Sequence, residues 1–87
     1  MEKVYVVMES YFDTCDWESH DSKIATIKKT PEAATSYINE KAKGHELSED
    51  KVLIVAGIKT RKIRYYDNTE DGECCFSYWV EEHTIEK

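Results

Sequence analysis

The stretch TPEAATSYINEKAKG, residues 30–44, decides the fold because it carries the clearest helix signal in the chain. Thr30 is a favourable N-cap residue, Pro31 suits the first helical position, and Gly44 stands where a helix would end. The apolar residues between these ends recur at helical spacing and form one stripe, which consists of Ala34, Tyr37, Ile38 and Ala42. The sequence therefore predicts a helix over residues 31–43.

Extended segments are predicted on both sides of this helix. Residues 3–12 (KVYVVMESYF) are β-branched and aromatic on both faces, which is typical of a central strand, and residues 22–29 predict a second strand antiparallel to it. After a polar loop, residues 52–66 predict one long extended segment bent near Gly57. The last segment alternates, so that Cys74, Phe76, Tyr78 and Val80 share one face.

One helix and one sheet predict an α+β fold. We expect a two-layer ββαββ arrangement, in which a single helix covers one face of an antiparallel sheet. The length of 87 residues predicts that residues 1–87 form a single domain. Asp71-Gly72 is a strong signal for a two-residue hairpin turn. That turn would pair Ile63 with Val80 and Tyr65 with Tyr78, and would set the basic block RKIR (residues 61–64) against Glu81 and Glu82. It would also oppose the like charges of Glu70 and Glu73, and a longer turn would instead place Ile63 against Phe76.

The basic block has two interpretations at this point. It either balances acidic residues on a neighbouring strand, or it forms a surface for single-stranded nucleic acid with nearby aromatics. The residues of the second interpretation are Lys59, Arg61, Lys62, Arg64 and Tyr66. A net charge of −6 and a pI near 5.0 disfavour general affinity for nucleic acid.

Protein binding is the favoured function, because tryptophans among charged residues are typical interface anchors. The candidate partner-binding residues are the acidic and tryptophan side chains Asp13, Asp16, Trp17, Glu18, Asp21, Glu70, Asp71 and Trp79. They suit a protein partner with a basic surface. A homodimer that buries the Trp79 face or an edge strand is a further alternative.

The sequence shows none of the patterns expected for catalysis, a cofactor or a metal. His and Cys residues lack the paired spacing of zinc ligands, and no nucleophile stands in a catalytic signature, so we expect a protein that is not an enzyme. Three cysteines, an odd count, predict reduced thiols, with Cys74 buried and Cys75 exposed. The chain shows neither a signal peptide nor a membrane span, which predicts a soluble cytoplasmic protein.

The chain resembles a group of small proteins of unknown function that are common in phages and prophages. The resemblance rests on VYVV near the start, TPEAATSYI at the helix and YWVEEHTI near the end. It implies an accessory protein of a mobile element in the cytoplasm of a bacterial host, of the kind that inhibits host defence in the manner of anti-CRISPR proteins. The expected partner is then a defence nuclease, such as a CRISPR-associated one, bound by protein–protein contact.

Overall fold

The computed structural model describes residues 2–13, 20–69 and 72–85, and its strands form one five-stranded antiparallel sheet. The elements in chain order are β1 (Glu2–Asp13), β2 (His20–Lys28), α1 (Pro31–Ala42), β3 (Leu47–Val55), β4 (Ile58–Thr69) and β5 (Gly72–Ile85). The strands lie in the order β2-β1-β5-β4-β3. The α+β class is confirmed, but the ββαββ order is wrong, because the described residues form ββαβββ.

The extra strand comes from a hairpin that replaces the predicted bend at Gly57. Residues 45–51, predicted as loop, contain the start of β3, and the chain reverses at Ala56 and Gly57, where Val55 pairs with Ile58. Ala56 and Gly57 have φ of 53° and 75°, as a type I′ turn requires at both central positions. A two-residue reversal of this kind closes β3 directly onto β4.

Helix α1 begins and ends close to where its sequence predicts. The Thr30 hydroxyl accepts a hydrogen bond from the Ala33 backbone N–H at 3.1 Å, which satisfies one of the unpaired donors of the first turn. Ala34 and Ile38 are fully buried, while Tyr37 and Ala42 are partly buried against the same core. The helix covers one face of the sheet, and no helix of the described residues is long and apolar enough to cross a membrane.

The core lies between α1 and one face of the sheet. The buried residues of the core cluster come from every central element: Tyr5, Val7, Ala34, Ile38, Ile63, Tyr65, Tyr78 and Val80. Phe76 packs against this cluster and Cys74 is buried. The predicted core face of β5 is therefore confirmed, and β1 is central, since it pairs with both β2 and β5.

The predicted register between β4 and β5 is wrong by two residues. Ile63 pairs with Tyr78 and Tyr65 pairs with Phe76, because Thr69 pairs with Gly72 and the connection runs through residues 70 and 71, outside the described residues. A shift of two keeps every side chain on its predicted face. The observed register stacks Tyr65 on Phe76 with ring centroids 5.4 Å apart and pairs Glu73 with Asn68 rather than with a like charge.

On the N-terminal side of Ile63, β4 pairs with β3 but not with β5, and the two strands form a ribbon that we call the β3–β4 arm (residues 51–62). The pairing of β4 with β5 extends over Ile63–Thr69 among the described residues. Thr60 and Ile63 are three positions apart and both buried, so β4 rotates about its axis where it leaves β5. On the arm, Val55 packs against the core cluster, whereas the neighbouring Ile54 is exposed.

Candidate protein-binding surface

Among the described residues no helix packs on the face of the sheet opposite α1, which we call the uncovered face, and the pairing of the strands arranges its side chains in rows. One row runs Ile24, Met8, Trp79, and the next runs Ile27, Val6, Glu81. Because directly opposed residues of antiparallel strands share a face, all six side chains lie on the uncovered face. A third row is polar and runs Ser22, Ser10, Ser77, Arg64, Glu49.

The two isoleucines of β2 lie on this face because the strand contains a bulge. Val7 pairs with Thr26 and Met8 pairs with Ile24, so Ala25 is the extra residue. Residues three apart on a regular strand point to opposite faces, but a bulge between them removes the difference. Ile24 and Ile27 are each 55% exposed, and sequence reasoning missed them because a one-residue bulge has no strong sequence signal.

Ile24, Ile27, Met8 and Trp79 form what we call the apolar patch. Trp79 and Met8 are half-buried and pair across β1 and β5, next to the two exposed isoleucines. The Trp79 indole N–H donates a hydrogen bond to the Glu81 carboxylate at 3.2 Å. The only polar atom of the ring therefore has a partner, and the rest of the ring contributes apolar surface to the patch. A tryptophan with apolar neighbours and a polar margin is the composition typical of a protein-binding surface.

A cluster of charges on the uncovered face surrounds Glu49 of β3. Lys51 and Lys62 each lie 3.6 Å from this carboxylate and Arg64 lies 3.9 Å from it. Partial burial raises the pKa of Glu49, but the nearby cations together outweigh this effect, so the pKa lies below its ordinary value. Arg64 also donates to the Ser77 hydroxyl at 3.2 Å, which ties the cluster to β5.

Arg61 points away from that cluster, as expected for a neighbour of Lys62 on a strand. Its guanidinium donates two hydrogen bonds of 2.8 Å to the two carboxylate oxygens of Asp50, and a third of 2.9 Å to the Asn39 side-chain oxygen on α1. The hydrogen bond from Arg61 holds the pKa of the Asp50 carboxyl below its ordinary value, and Asp50 raises that of Arg61. The arginine thereby joins both strands of the hairpin to the helix.

The basic block thus has acidic partners on a neighbouring strand, but the strand is β3 and not β5. The predicted facing of Arg61 and Lys62 with Glu82 and Glu81 is wrong, and Arg64 faces Ser77. Glu82 instead forms an ion pair with Lys3 of β1 at 3.3 Å. The physical reason is the hairpin at Ala56-Gly57, which brings the acidic residues 49 and 50 beside the block.

The five residues predicted to bind nucleic acid do not share one surface. Lys62, Arg64 and Tyr66 lie on the uncovered face, whereas Lys59 and Arg61 lie on the other face of β4. Three of the four cations contact carboxylates of β3. This arrangement divides and neutralises the charge that a phosphate backbone would require.

Most of the residues predicted to bind a protein partner lie outside the described residues, namely Asp16, Trp17, Glu18, Glu70 and Asp71. Asp13 ends β1 opposite Cys74. Asp21 is exposed and pairs with Tyr11, so it lies on the helix-side face, while Trp79 lies on the uncovered face. The structure therefore does not bring Asp21 and Trp79 together.

A cavity of about 210 Å³ opens beside Asp21 on the helix-side face. It is lined by Glu9, Tyr11, Asp21, Lys23 and Phe76. Glu9 accepts a 2.5 Å hydrogen bond from the Tyr78 hydroxyl and lies 3.4 Å from the Lys23 ammonium. These contacts tie the most buried carboxylate of the cavity into the core, which suits a structural role.

The two cysteines of the described residues are buried, and neither forms a disulfide. Cys74 and Cys75 are free; Cys74 is buried as predicted, but the prediction of an exposed Cys75 is wrong, because Tyr66 lies beside it on the neighbouring strand. The Tyr11 hydroxyl and the Cys74 sulfur lie 3.2 Å apart. Cys15 falls outside the described residues, among which no three His, Cys, Asp or Glu side chains are grouped as metal ligands.

No family model matches this chain, and no curated protein or solved structure matches it at a significant level.

Proposed function

We propose that this chain is a non-enzymatic binding protein that docks a partner protein through the apolar patch. The observation that carries the proposal is the pair Ile24 and Ile27, both 55% exposed, placed on one face by the Ala25 bulge beside Met8 and Trp79. Bulges are commonly retained where they re-aim side chains for a purpose. Exposed apolar groups around a tryptophan gain free energy when a partner removes them from water.

The net charge of −6 supports a partner with a basic surface. The resemblance to phage accessory proteins makes a defence nuclease of the bacterial host the partner class to test first. Single-stranded nucleic acid has less support, because the cations of residues 59–64 are divided between two faces and largely paired with Glu49 and Asp50.

The test is affinity capture from a bacterial lysate with three baits. The first bait is the wild-type chain, the second carries Ile24→Thr and Ile27→Thr, and the third carries Val52→Thr and Ile54→Thr on the far edge of the sheet. Threonine keeps the β-branched shape that strands favour, and all four residues are exposed, so each bait should fold. Circular dichroism checks this before capture.

We expect a protein that is captured by the wild type and by the third bait but lost with the second. Nuclease treatment of the lysate should leave that capture unchanged. Capture that survives both isoleucine substitutions would refute the role of the apolar patch. Capture that disappears with nuclease would refute protein binding and favour the nucleic-acid alternative.

A further inference from the structure

The two edge strands of the sheet differ in how they are protected from pairing with another chain. Strand β2 carries the Ala25 bulge and the lysines Lys23 and Lys28, which are standard devices against edge pairing. Strand β3 has its irregularity and its charges at one end, between Leu47 and Lys51. Its other half, residues 52–55 (VLIV), is uncharged, and Val52 and Ile54 are 65% and 64% exposed.

The backbone of this half of β3 has a defined hydrogen-bonding direction. The two-residue turn makes Val55 and Ile58 a hydrogen-bonded pair, and alternate residues follow the same phase. Leu53 and Thr60 are therefore also a hydrogen-bonded pair, and the Leu53 carbonyl in addition accepts a hydrogen bond of 2.8 Å from the Thr60 hydroxyl. Val52 and Ile54 therefore direct their backbone N–H and C=O groups away from β4, toward the open edge.

We propose that β3 pairs with β3 of a second copy of this chain, antiparallel, about a two-fold axis at Leu53. This pairing opposes Val52 of each copy to Ile54 of the other, so that the outward backbone groups bond and the four exposed apolar side chains meet. The neighbouring registers toward the charged end of β3 oppose less favourable side chains. An axis at Val52 opposes Ile54 to Asp50, and an axis at Lys51 opposes the two lysines.

The same register is compatible with the residues of β4 behind the edge. Arg61 pairs with Val52 and Lys59 pairs with Ile54 within each copy. Across the dimer, the four apolar side chains therefore lie between Arg61 and Lys59, with no like charges directly opposed. On the other face, Leu53 meets its own counterpart at the axis. A surface that is complementary to itself in this way is what a two-fold interface requires.

The proposal rests on β3 alone and does not depend on the proposed function. Pairing one strand of each copy buries less area than the roughly 1,600 Å² of a standard interface, so we expect a weak dimer, with Kd on the order of 10–100 μM. Sedimentation equilibrium from 5 μM to 1 mM measures it. Val52→Lys with Ile54→Lys should weaken the dimer at least tenfold, whereas Ile24→Lys with Ile27→Lys on the opposite edge should not.

A second measurement tests the register. In a chain carrying Cys15→Ser, Leu53→Cys places two thiols on the axis in a non-hydrogen-bonded pair, whose Cα atoms lie about 4.5 Å apart and suit a disulfide. Lys51→Cys places its thiols about 13 Å apart, because four residues separate the two positions along the pair. Mild oxidation should cross-link the first variant and leave the second monomeric on a non-reducing gel.

Three outcomes would overturn the proposal. One is a wild-type chain that stays monomeric at 1 mM, which would leave the edge to a strand from another protein. Another is a dimer that persists in the variant with Val52→Lys and Ile54→Lys. The last is cross-linking of Lys51→Cys at least as fast as that of Leu53→Cys. Circular dichroism and thermal unfolding confirm for each variant that the sheet is retained.

Discussion

Breaking the ion pair between Arg61 and Asp50 tests whether the basic block acts within the hairpin. The two hydrogen bonds of 2.8 Å give the bidentate geometry in which arginine binds carboxylates best. The side chains are 28% and 46% exposed, so solvent screens most of the attraction and the entropy of holding both chains opposes it. We expect a coupling free energy near the top of the range for exposed pairs, about 0.5–1 kcal/mol.

The assay is a double-mutant cycle with Asp50→Asn, Arg61→Gln and the double variant. Urea is the denaturant, because guanidinium would screen the charges. The matched control is a second cycle that combines Arg61→Gln with Glu82→Gln, the pairing predicted from the sequence, and its coupling should be close to zero. A coupling below about 0.2 kcal/mol for Asp50, or an equal coupling for Glu82, would refute the pairing of the block with β3.

The coupling should also depend on pH with a defined sign. The pKa of Asp50 in the folded chain is lowered from its ordinary value of 3.8, chiefly by the hydrogen bond from Arg61. Its contribution to stability is therefore full above pH 3.8 and is lost as the pH falls through the lower folded value. A cycle measured well below that value should show no coupling, and a coupling that persists there would contradict an ionic origin.

Three further predictions concern the core, the turn and alkaline pH. Ile38→Ala should lower the free energy of unfolding by about 2–5 kcal/mol in urea denaturation, and Tyr37→Ala by only about 1–2, because Ile38 is fully buried and Tyr37 only partly; equal losses would contradict this. Ala56→Asn should raise thermal stability by about 0.5–1 kcal/mol, since asparagine tolerates the positive φ of 53° better than alanine; a lower midpoint would argue against the turn. Burial raises the pKa of Tyr78, assisted by its hydrogen bond to Glu9, and burial also raises the pKa of Tyr65. The contribution of these neutral phenols to folding stability is therefore full below pH 10 and is lost as the pH rises above it. The free energy of unfolding should fall less steeply with alkaline pH in Tyr78→Phe than in the wild type, and an equal slope would contradict the assignment.

Local signals in the sequence predicted the elements whose stability is local. The N-cap at Thr30, the proline after it and the spacing of Ala34 and Ile38 act within a few residues of each other, so the helix could be placed to within one residue. The alternation of β5 likewise predicted that Tyr78 and Val80 face the core, because the side-chain period of a strand does not depend on its partner.

Features that depend on a partner strand could not be predicted in the same way. Alanine is a poor residue for positive φ, so Ala56-Gly57 lacked the usual Asn-Gly signal of a hairpin, and β3 was merged with β4. Because β3 was not predicted as a separate strand, Glu49 and Asp50 were not considered as partners of the basic block. The apolar patch was missed for a related reason, since the position of the Ala25 bulge is decided by pairing with β1.

The distribution of charge connects the hairpin to the proposed binding function. Strands β3 and β4 together carry a formal charge of +2, whereas β1, β2 and β5 together carry −4. The apolar patch lies on β1, β2 and β5, and β3 is the edge strand farthest from β2. This asymmetry favours approach of the basic partner proposed above to the strands that bear the patch rather than to the β3 edge. The two proposed interfaces lie on different strands, so pairing of β3 with a second copy would not cover the apolar patch.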